Sequence, residues 1–317
     1  MFKETTCRLR DTLNLYGSKK EPFFFLINYD LKQYDIIPLD QMPNDILYSI
    51  NNQNIKDHKI SLQKYPIDFK LYKNSFNKIK NHIKNGNSYL ANLTFTTPII
   101  LHYSLKEIYH NANAKFKLYY KDQFVSFSPE QFIQIEDNKI FTYPMKGTIK
   151  ANIKDASNKL LDDPKEKAEH TMIVDLLRND LSIVAKDVKV EKFRYISKIK
   201  AGTKELLQTS SKISGILDNS WQNNIGDILI SLLPAGSITG TPKRKTIEIL
   251  NNIEDYNRGY FTGIFGIFDG NSLNSAVLIR FIEKIDNNLF YKSGGGITSD
   301  SDIVSEYNEM IDKVYIP

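Results

Sequence analysis

The sequence predicts an α+β fold on three grounds. Stretches of β-rich composition at 88–100, 114–149 and 187–217 are long and grouped, and helical patterns at 69–86 and 163–185 separate them. There is no regular alternation of one strand with one helix, the rhythm that marks a parallel sheet. At 317 residues, 41% of them hydrophobic and 12% aromatic, the chain can bury a large core.

The apolar run in "PFFFLINYD" (22–30) reads as a buried strand. A polar, asparagine-rich stretch follows to about residue 65 and reads as surface connection. Residues 1–65 are therefore expected as a short N-terminal portion packed on a body formed by 66–317. Phe69, Tyr72, Phe76, Ile79 and Ile83 recur three or four apart, the spacing of a helix that Gly86 ends. "SYLANLTFTTPII" turns to β composition, and "KFKLYY", "QFVSFS", "QFIQIED" and "KIFTYPM" follow as strands. Pro164 suits the first turn of the helix over 163–185. Short helices are expected near 225–233 and in "KRKTIEILNNI", on either side of the breaker-rich "PAGSITGTPK". Strands at 260–268, 274–284 and 289–293 then lead through "GGG" into a last helix from about Asp302.

Composition excludes several classes of function. The net charge of +5 comes from lysines dispersed among asparagines, not from the clustered basic face of a nucleic-acid binder. Cys7 is the only cysteine, so an internal disulfide and a thiolate zinc site are ruled out, which suits a reducing compartment. "MFKETTCRLRDTLNLYG" is too polar for a signal peptide, and no run approaches the ~20 apolar residues that span a bilayer. A cytoplasmic protein that binds neither nucleic acid nor membrane is expected.

Two carboxylate pairs stand out. Glu166 and Glu169 in "EKAEH", and Glu306 and Glu309 in "SEYNEM", are each spaced i, i+3 in an expected helix, so each pair shares a face. Four such acids suit a hard cation such as magnesium; the same spacing also describes a solvated helix face. Gly294, Gly295 and Gly296 fall between a strand and the last helix, where amides can cradle an anion or simply turn the chain. In "GSITGTPKRKT", Thr241 and Pro242 separate Gly240 from Lys243, so this is no Walker A loop. Arg280, in "NSAVLIRFIEK", could grip a carboxylate from a strand or make a structural ion pair. Glu130 in "FSPEQF" could be a general acid or base, or a turn residue. Lys146 in "YPMKGTIK" enters an apolar run with no acid beside it, as a nucleophile or as a snorkelling surface lysine.

In order and approximate spacing, "SPEQF", "YPMKGT", "EHTMIVDLLRNDL", "GSITGTPK", "YFTGIFG", "AVLIRF" and "GGGITSDSDIVSEYNEM" resemble the chorismate-utilising enzymes, over roughly residues 70–315. The resemblance implies a large two-layer antiparallel β-sandwich with helices outside. "PMKGT" resembles the component I branch of aminodeoxychorismate synthase, which carries lysine where anthranilate synthases carry alanine. It implies that Lys146 attacks C2 of chorismate and that ammonia then adds at C4. It further implies Glu130 as general acid or base, Glu169 and Glu309 as direct magnesium ligands, and Glu166 and Glu306 reaching the ion directly or through water. Arg280, the amides of Gly294–Gly296, Thr239 and Gly240 would bind the substrate's carboxylates. No glutaminase motif is visible, so ammonia is expected from solution or from a separate glutamine amidotransferase subunit.

The chain departs from the family pattern at three places. Leu90 stands where the water-adding branch has a lysine, and an aliphatic group cannot act as that base. Lys198 is read as occupying the place of a family histidine, and Phe261 that of a tyrosine. The competing expectations are anthranilate synthase component I and a catalytically silent chorismate-binding partner of a glutaminase.

Overall fold

The computed structural model, which describes residues 2–51, 60–201 and 204–317, begins with helix α1 (Phe2–Ser18) and strands β1 (Phe23–Ile27) and β2 (Tyr34–Pro38). These belong to a first unit, Met1–Pro43, Pro129–Ala235 and Gly263–Val277. The chain then passes to a second unit, Asn44–Ser128, Gly236–Thr262 and Leu278–Pro317. There it lays down β3 (Ile46–Ile50), β4 (Gln63–Lys64), α2 (Phe69–Lys84), β5 (Leu90–Ile100), α3 (Leu105–Asn111), β6 (Phe116–Tyr120) and β7 (Phe124–Ser128). It returns to the first with β8 (Gln131–Glu136), β9 (Lys139–Thr142), β10 (Met145–Lys150), α4 (Ala156–Asp162), α5 (Pro164–Leu181), β11 (Lys186–Ala201), β12 (Lys204–Ile216) and α6 (Ile225–Leu232). The second unit takes α7 (Gly236–Thr239), β13 (Gly240–Thr241) and α8 (Lys243–Ile253), and the first takes β14 (Ile264–Phe268) and β15 (Leu273–Val277). Strands β16 (Phe281–Ile285) and β17 (Asn288–Ile297) and helix α9 (Ile303–Asp312) complete the second.

The first unit is built on a nine-stranded sheet in the order β10-β12-β9-β8-β15-β14-β1-β2, with β11 also on β12. Its pairs are antiparallel. All five residues of β1 are buried, which is why its sequence is continuously apolar and does not alternate. Phe23 meets Tyr16 of α1 and Phe268 of β14, and Trp221 meets Phe268 edge-on. Helix α5 starts where Asp163 accepts a hydrogen bond from the Glu166 N–H, with Pro164 in its first turn.

The second unit has an eight-stranded sheet, β13-β5-β17-β16-β7-β6-β3, with β4 on β5. Helices α2, α8 and α9 supply Tyr72, Phe76, Ile79, Ile249, Leu250 and Met310 to a core shared with Ala91, Leu93, Phe95 and Ile297. Helix α3 packs Leu105, Ile108 and Tyr109 into another with Val125, Phe127, Ile282 and Tyr291. Asp302 caps α9 by accepting from the Ser305 N–H, so both acidic helices start at an aspartate cap.

The α+β class holds, and several local expectations do not. The stretch to residue 65 contains β2, β3 and β4, not surface connection alone; its residues 52–59 lie outside the described residues. An expected portion over 1–65 does not coincide with either unit, since Met1–Pro43 belong to one and the following residues to the other. The single strand expected at 274–284 is two, β15 and β16, on different sheets. Among the described residues no helix is long and apolar enough to cross a membrane.

Candidate active site

The residues expected at the site fall in two groups, one in each unit. In the first unit Lys146 lies on β10 opposite Thr209, and the next pair in the ladder is Thr148 with Gln208. Gly147 is thus an extra residue, a bulge that redirects the strand. It has φ +75°, and a Cβ there would stand 2.6 Å from Glu166 Oε2 and 3.1 Å from Leu160 Cδ1. The positive φ is what favours glycine here, since the nearest atoms are the ends of flexible side chains.

The bulge leaves the Lys146 carbonyl facing a buried polar cluster. Thr209 Oγ1 donates to that carbonyl, and the His170 ring hydrogen-bonds the same backbone. His170 is fully buried; its Nε2 is 2.7 Å from Ser211 Oγ, which also accepts from the Arg194 N–H at 2.9 Å. Burial and the charge of Arg194 lower the His170 pKa to about 4, so the ring is neutral near pH 7. The side chain of Lys146 reaches α5, with Nζ 2.7 Å from Glu169 Oε2, while Lys165 Nζ lies 3.9 Å from Oε1 of the same glutamate. Glu130 stands in the link before β8, its carbonyl accepting from the Val277 N–H at 3.2 Å.

In the second unit the glycine run is not a turn. Gly294, Gly295 and Gly296 lie inside β17, paired with Thr94, Leu93 and Asn92 of β5. Strand β16 pairs with β17 only as far as Phe281 with Lys292, so the glycines have a ladder on one side only. A Cβ on Gly294 would stand 2.3 Å from the Leu93 carbonyl oxygen, which explains glycine there; one on Gly295 would meet Glu306 Oε2 at 3.4 Å and Lys313 Nζ at 3.7 Å. Glu306, 6% exposed, accepts from Ser301 Oγ at 2.8 Å. Glu309 is 2.7 Å from Lys313 Nζ, which also donates to the Gly294 carbonyl at 2.8 Å.

Thr239 is buried in α7, and Gly240, at φ +130°, runs so close to β5 that a Cβ would lie 1.9 Å from the Leu90 carbonyl oxygen. Leu90 Cδ1 in turn limits Gly296, where a Cβ would sit 2.9 Å from it. Leu90 therefore lies against two of the glycines expected at the site, Gly240 through its backbone and Gly296 through its side chain. Arg258, which the sequence did not single out, fixes this region: it donates to the Ile238 and Asn92 carbonyls at 3.0 and 2.7 Å and pairs with Glu254 at 2.6 Å. Lys313 was also missed, because a lysine one turn after Glu309 reads as an ordinary helix-end charge.

One placement corrects the sequence reading. Arg280 is not borne on a strand but sits in the gap between β15 and β16 at φ +52°. Its guanidinium carbon is 5.6 Å from the centre of the Tyr315 ring. Lys198 is 58% exposed and pairs with Glu205 at 2.8 Å on the β11–β12 hairpin, a surface ion pair. Phe261 is buried against Phe281, ring centres 5.9 Å apart.

For a metal, the donors are carboxylate oxygens, the set a hard cation takes. Within neither unit do the described residues gather three or more His, Cys, Asp or Glu side chains around one point. The first unit offers Glu166 and Glu169, the second Glu306 and Glu309. Glu169 and Glu309 each already hold a cationic group at 2.7 Å, so the carboxylates suit a cation.

An "Uncharacterized PabA-like protein" of Haemophilus influenzae (strain ATCC 51907 / DSM 11121 / KW20 / Rd) is 49% identical over 100% of this chain and 98% of its own length. Aminodeoxychorismate synthase component 1 of Bacillus subtilis (strain 168) is 29% identical over 96% of this chain and 68% of its own. The crystal structure of anthranilate synthase component I from Streptococcus pneumoniae TIGR4 superposes with a TM-score of 0.69 at 23% identity, over 83% of this chain and 60% of that one. The model of the family described as chorismate binding enzyme matches residues 18–316, and the chain belongs to that family.

Proposed function

We propose that this chorismate-binding chain is the component I subunit of an aminodeoxychorismate synthase, making 4-amino-4-deoxychorismate for p-aminobenzoate and folate synthesis. The observation that carries the reading is Lys146 itself: a lysine on a glycine bulge, its carbonyl fixed by Thr209 and its amine within reach of α5. Lys146 Nζ forms a bond to C2 of chorismate while both ring double bonds shift and the C4–O bond breaks. The hydroxyl leaves as water with a proton from Glu130. Ammonia then bonds to C4, the electrons shift back, and the C2–Nζ bond breaks to release Lys146. An amine attacks carbon only in its neutral form, so Lys146 must part from Glu169 and lose a proton before the first step.

Magnesium is the proposed cofactor, with Glu166, Glu169, Glu306 and Glu309 as its proposed carboxylate ligands; when bound it would neutralise a substrate carboxylate. Arg280, Thr239, Gly240 and the Gly294–Gly296 backbone are the proposed carboxylate contacts. A separate glutamine amidotransferase would supply ammonia.

The fold likeness to anthranilate synthase component I keeps that reaction as the rival. Incubating the chain with chorismate, magnesium and ammonium, and identifying products by mass spectrometry, separates the readings. Aminodeoxychorismate from the parent and background levels from Lys146→Ala support the proposal. Anthranilate with pyruvate, retained by Lys146→Ala, makes the rival correct. Chorismate binding without product, even with an amidotransferase added, would identify a silent subunit.

A further inference from the structure

The backbone at Arg280 is held by β7. The Phe127 N–H donates to its carbonyl at 3.1 Å, and Ser126 Oγ donates to the Ile279 carbonyl at 2.8 Å. Past that point lie several rotatable bonds, and an arginine side chain carries about 2 kcal/mol of rotamer entropy. A guanidinium grips a carboxylate with two parallel hydrogen bonds only when its plane is set.

The Tyr315 ring, with its centre 5.6 Å from the guanidinium carbon, lies within the ~6 Å at which a π face attracts a cation. Tyr315 belongs to the segment that follows α9, and that segment is held by contacts that do not use its ring. The Tyr291 hydroxyl donates to the Tyr315 carbonyl at 2.9 Å, and the Asn113 N–H donates to the Pro317 carbonyl at 2.8 Å. Lys64 Nζ donates to the Ile311 and Val314 carbonyls at 2.7 and 3.4 Å. Val314 is buried in the core with Ile282 and Tyr291. The backbone thus delivers the ring to the guanidinium, and the ring is free to vary without releasing the segment.

We infer that Tyr315 is a positioning residue, which holds the Arg280 guanidinium ready for a substrate carboxylate. The inference rests on the proposed substrate-binding role of Arg280, and is independent of which reaction follows binding.

The test is equilibrium dialysis of chorismate against the full chain with magnesium and no ammonium, alongside turnover with ammonium present. Tyr315→Leu keeps apolar bulk and loses the π face; its chorismate Kd rises about 3- to 30-fold, the range expected of a cation–π contact, while kcat stays within about two-fold. Tyr315→Phe restores the Kd. Added to Arg280→Ala, Tyr315→Leu raises the Kd no further, because the ring acts through the arginine. If Tyr315→Leu fails to fold, Tyr315→Met takes its place with the same expected rise. A Kd unchanged by Tyr315→Leu or Tyr315→Met, while Arg280→Ala raises it, overturns the positioning role and leaves the reading of Arg280 intact. An Arg280→Ala variant that binds chorismate like the parent overturns both.

Discussion

Lys146 Nζ lies 2.7 Å from Glu169 Oε2, and the pair is only partly open to solvent. The second unit repeats the arrangement with Lys313 and Glu309, also at 2.7 Å. In each unit the other member of the acidic pair, Glu166 or Glu306, lies against a backbone glycine, Gly147 or Gly295. Each unit therefore offsets its own carboxylate charge with a lysine drawn from the same small group of residues.

Gly147→Ala should be costly. The new Cβ meets Glu166 Oε2 at 2.6 Å on a backbone at φ +75°, a strain of about 1–3 kcal/mol. Calorimetry should show a lowered Tm, and turnover should fall with it because the bulge carries Lys146, the proposed nucleophile. A variant with parent Tm and parent rate would remove the bulge from the mechanism.

Thr209→Val keeps the shape of a buried side chain and removes its hydrogen bond to the Lys146 carbonyl. One such bond is worth about 1 kcal/mol, so kcat should drop by roughly five- to ten-fold. The KM for chorismate should hold, since the loss concerns placement of the proposed nucleophile. Thr209→Ser should recover the rate.

Acid should destabilise the chain through His170. Its pKa falls from 6.5 unfolded to about 4 folded, so between those values the unfolded state binds the extra proton. The stabilisation is complete above pH 6.5 and is lost as the pH falls toward 4, by a few kcal/mol at most. The groups facing the ring from β10, β11 and β12 are Lys146, Arg194, Phe193, Thr209 and Ser211, none of which is an acid that could stabilise the imidazolium. Urea titrations from pH 7 to 4.5 should show a slope that His170→Gln reduces.

Arg258→Ala should be the most damaging of these changes. Both side chains of the Arg258–Glu254 pair are almost wholly buried, and Glu254 also accepts from the Thr94 N–H and hydroxyl. Removing one partner leaves a buried charge, at about 3–5 kcal/mol. Chemical denaturation should show that loss, and a loss below 1 kcal/mol would mean water replaces the guanidinium.

Much of this was legible in the sequence, and the exceptions have a common cause. Helices α2, α5, α8 and α9 could be read because apolar spacing, aspartate caps and Pro164 act within a few residues of one another. The break at Arg280 could not, because "AVLIRFIE" contains no glycine or proline; the strand ends there because its two halves pair on different sheets. The glycine run misled in the opposite sense. Gly294 is required by the close approach of β5, a partner two hundred residues earlier in the chain, and composition alone cannot distinguish that from a turn.

The interleaving of the two units has a consequence for how the protein is made. Ile27 pairs with Ile264, so the most apolar strand of the chain leaves the ribosome with one edge unsatisfied and waits for β14. A nascent "FFFLI" segment is an aggregation hazard for most of that interval. Helix α1, which emerges before it and packs on β2, is the first cover available, and a chain lacking those early residues should depend on chaperones for its yield.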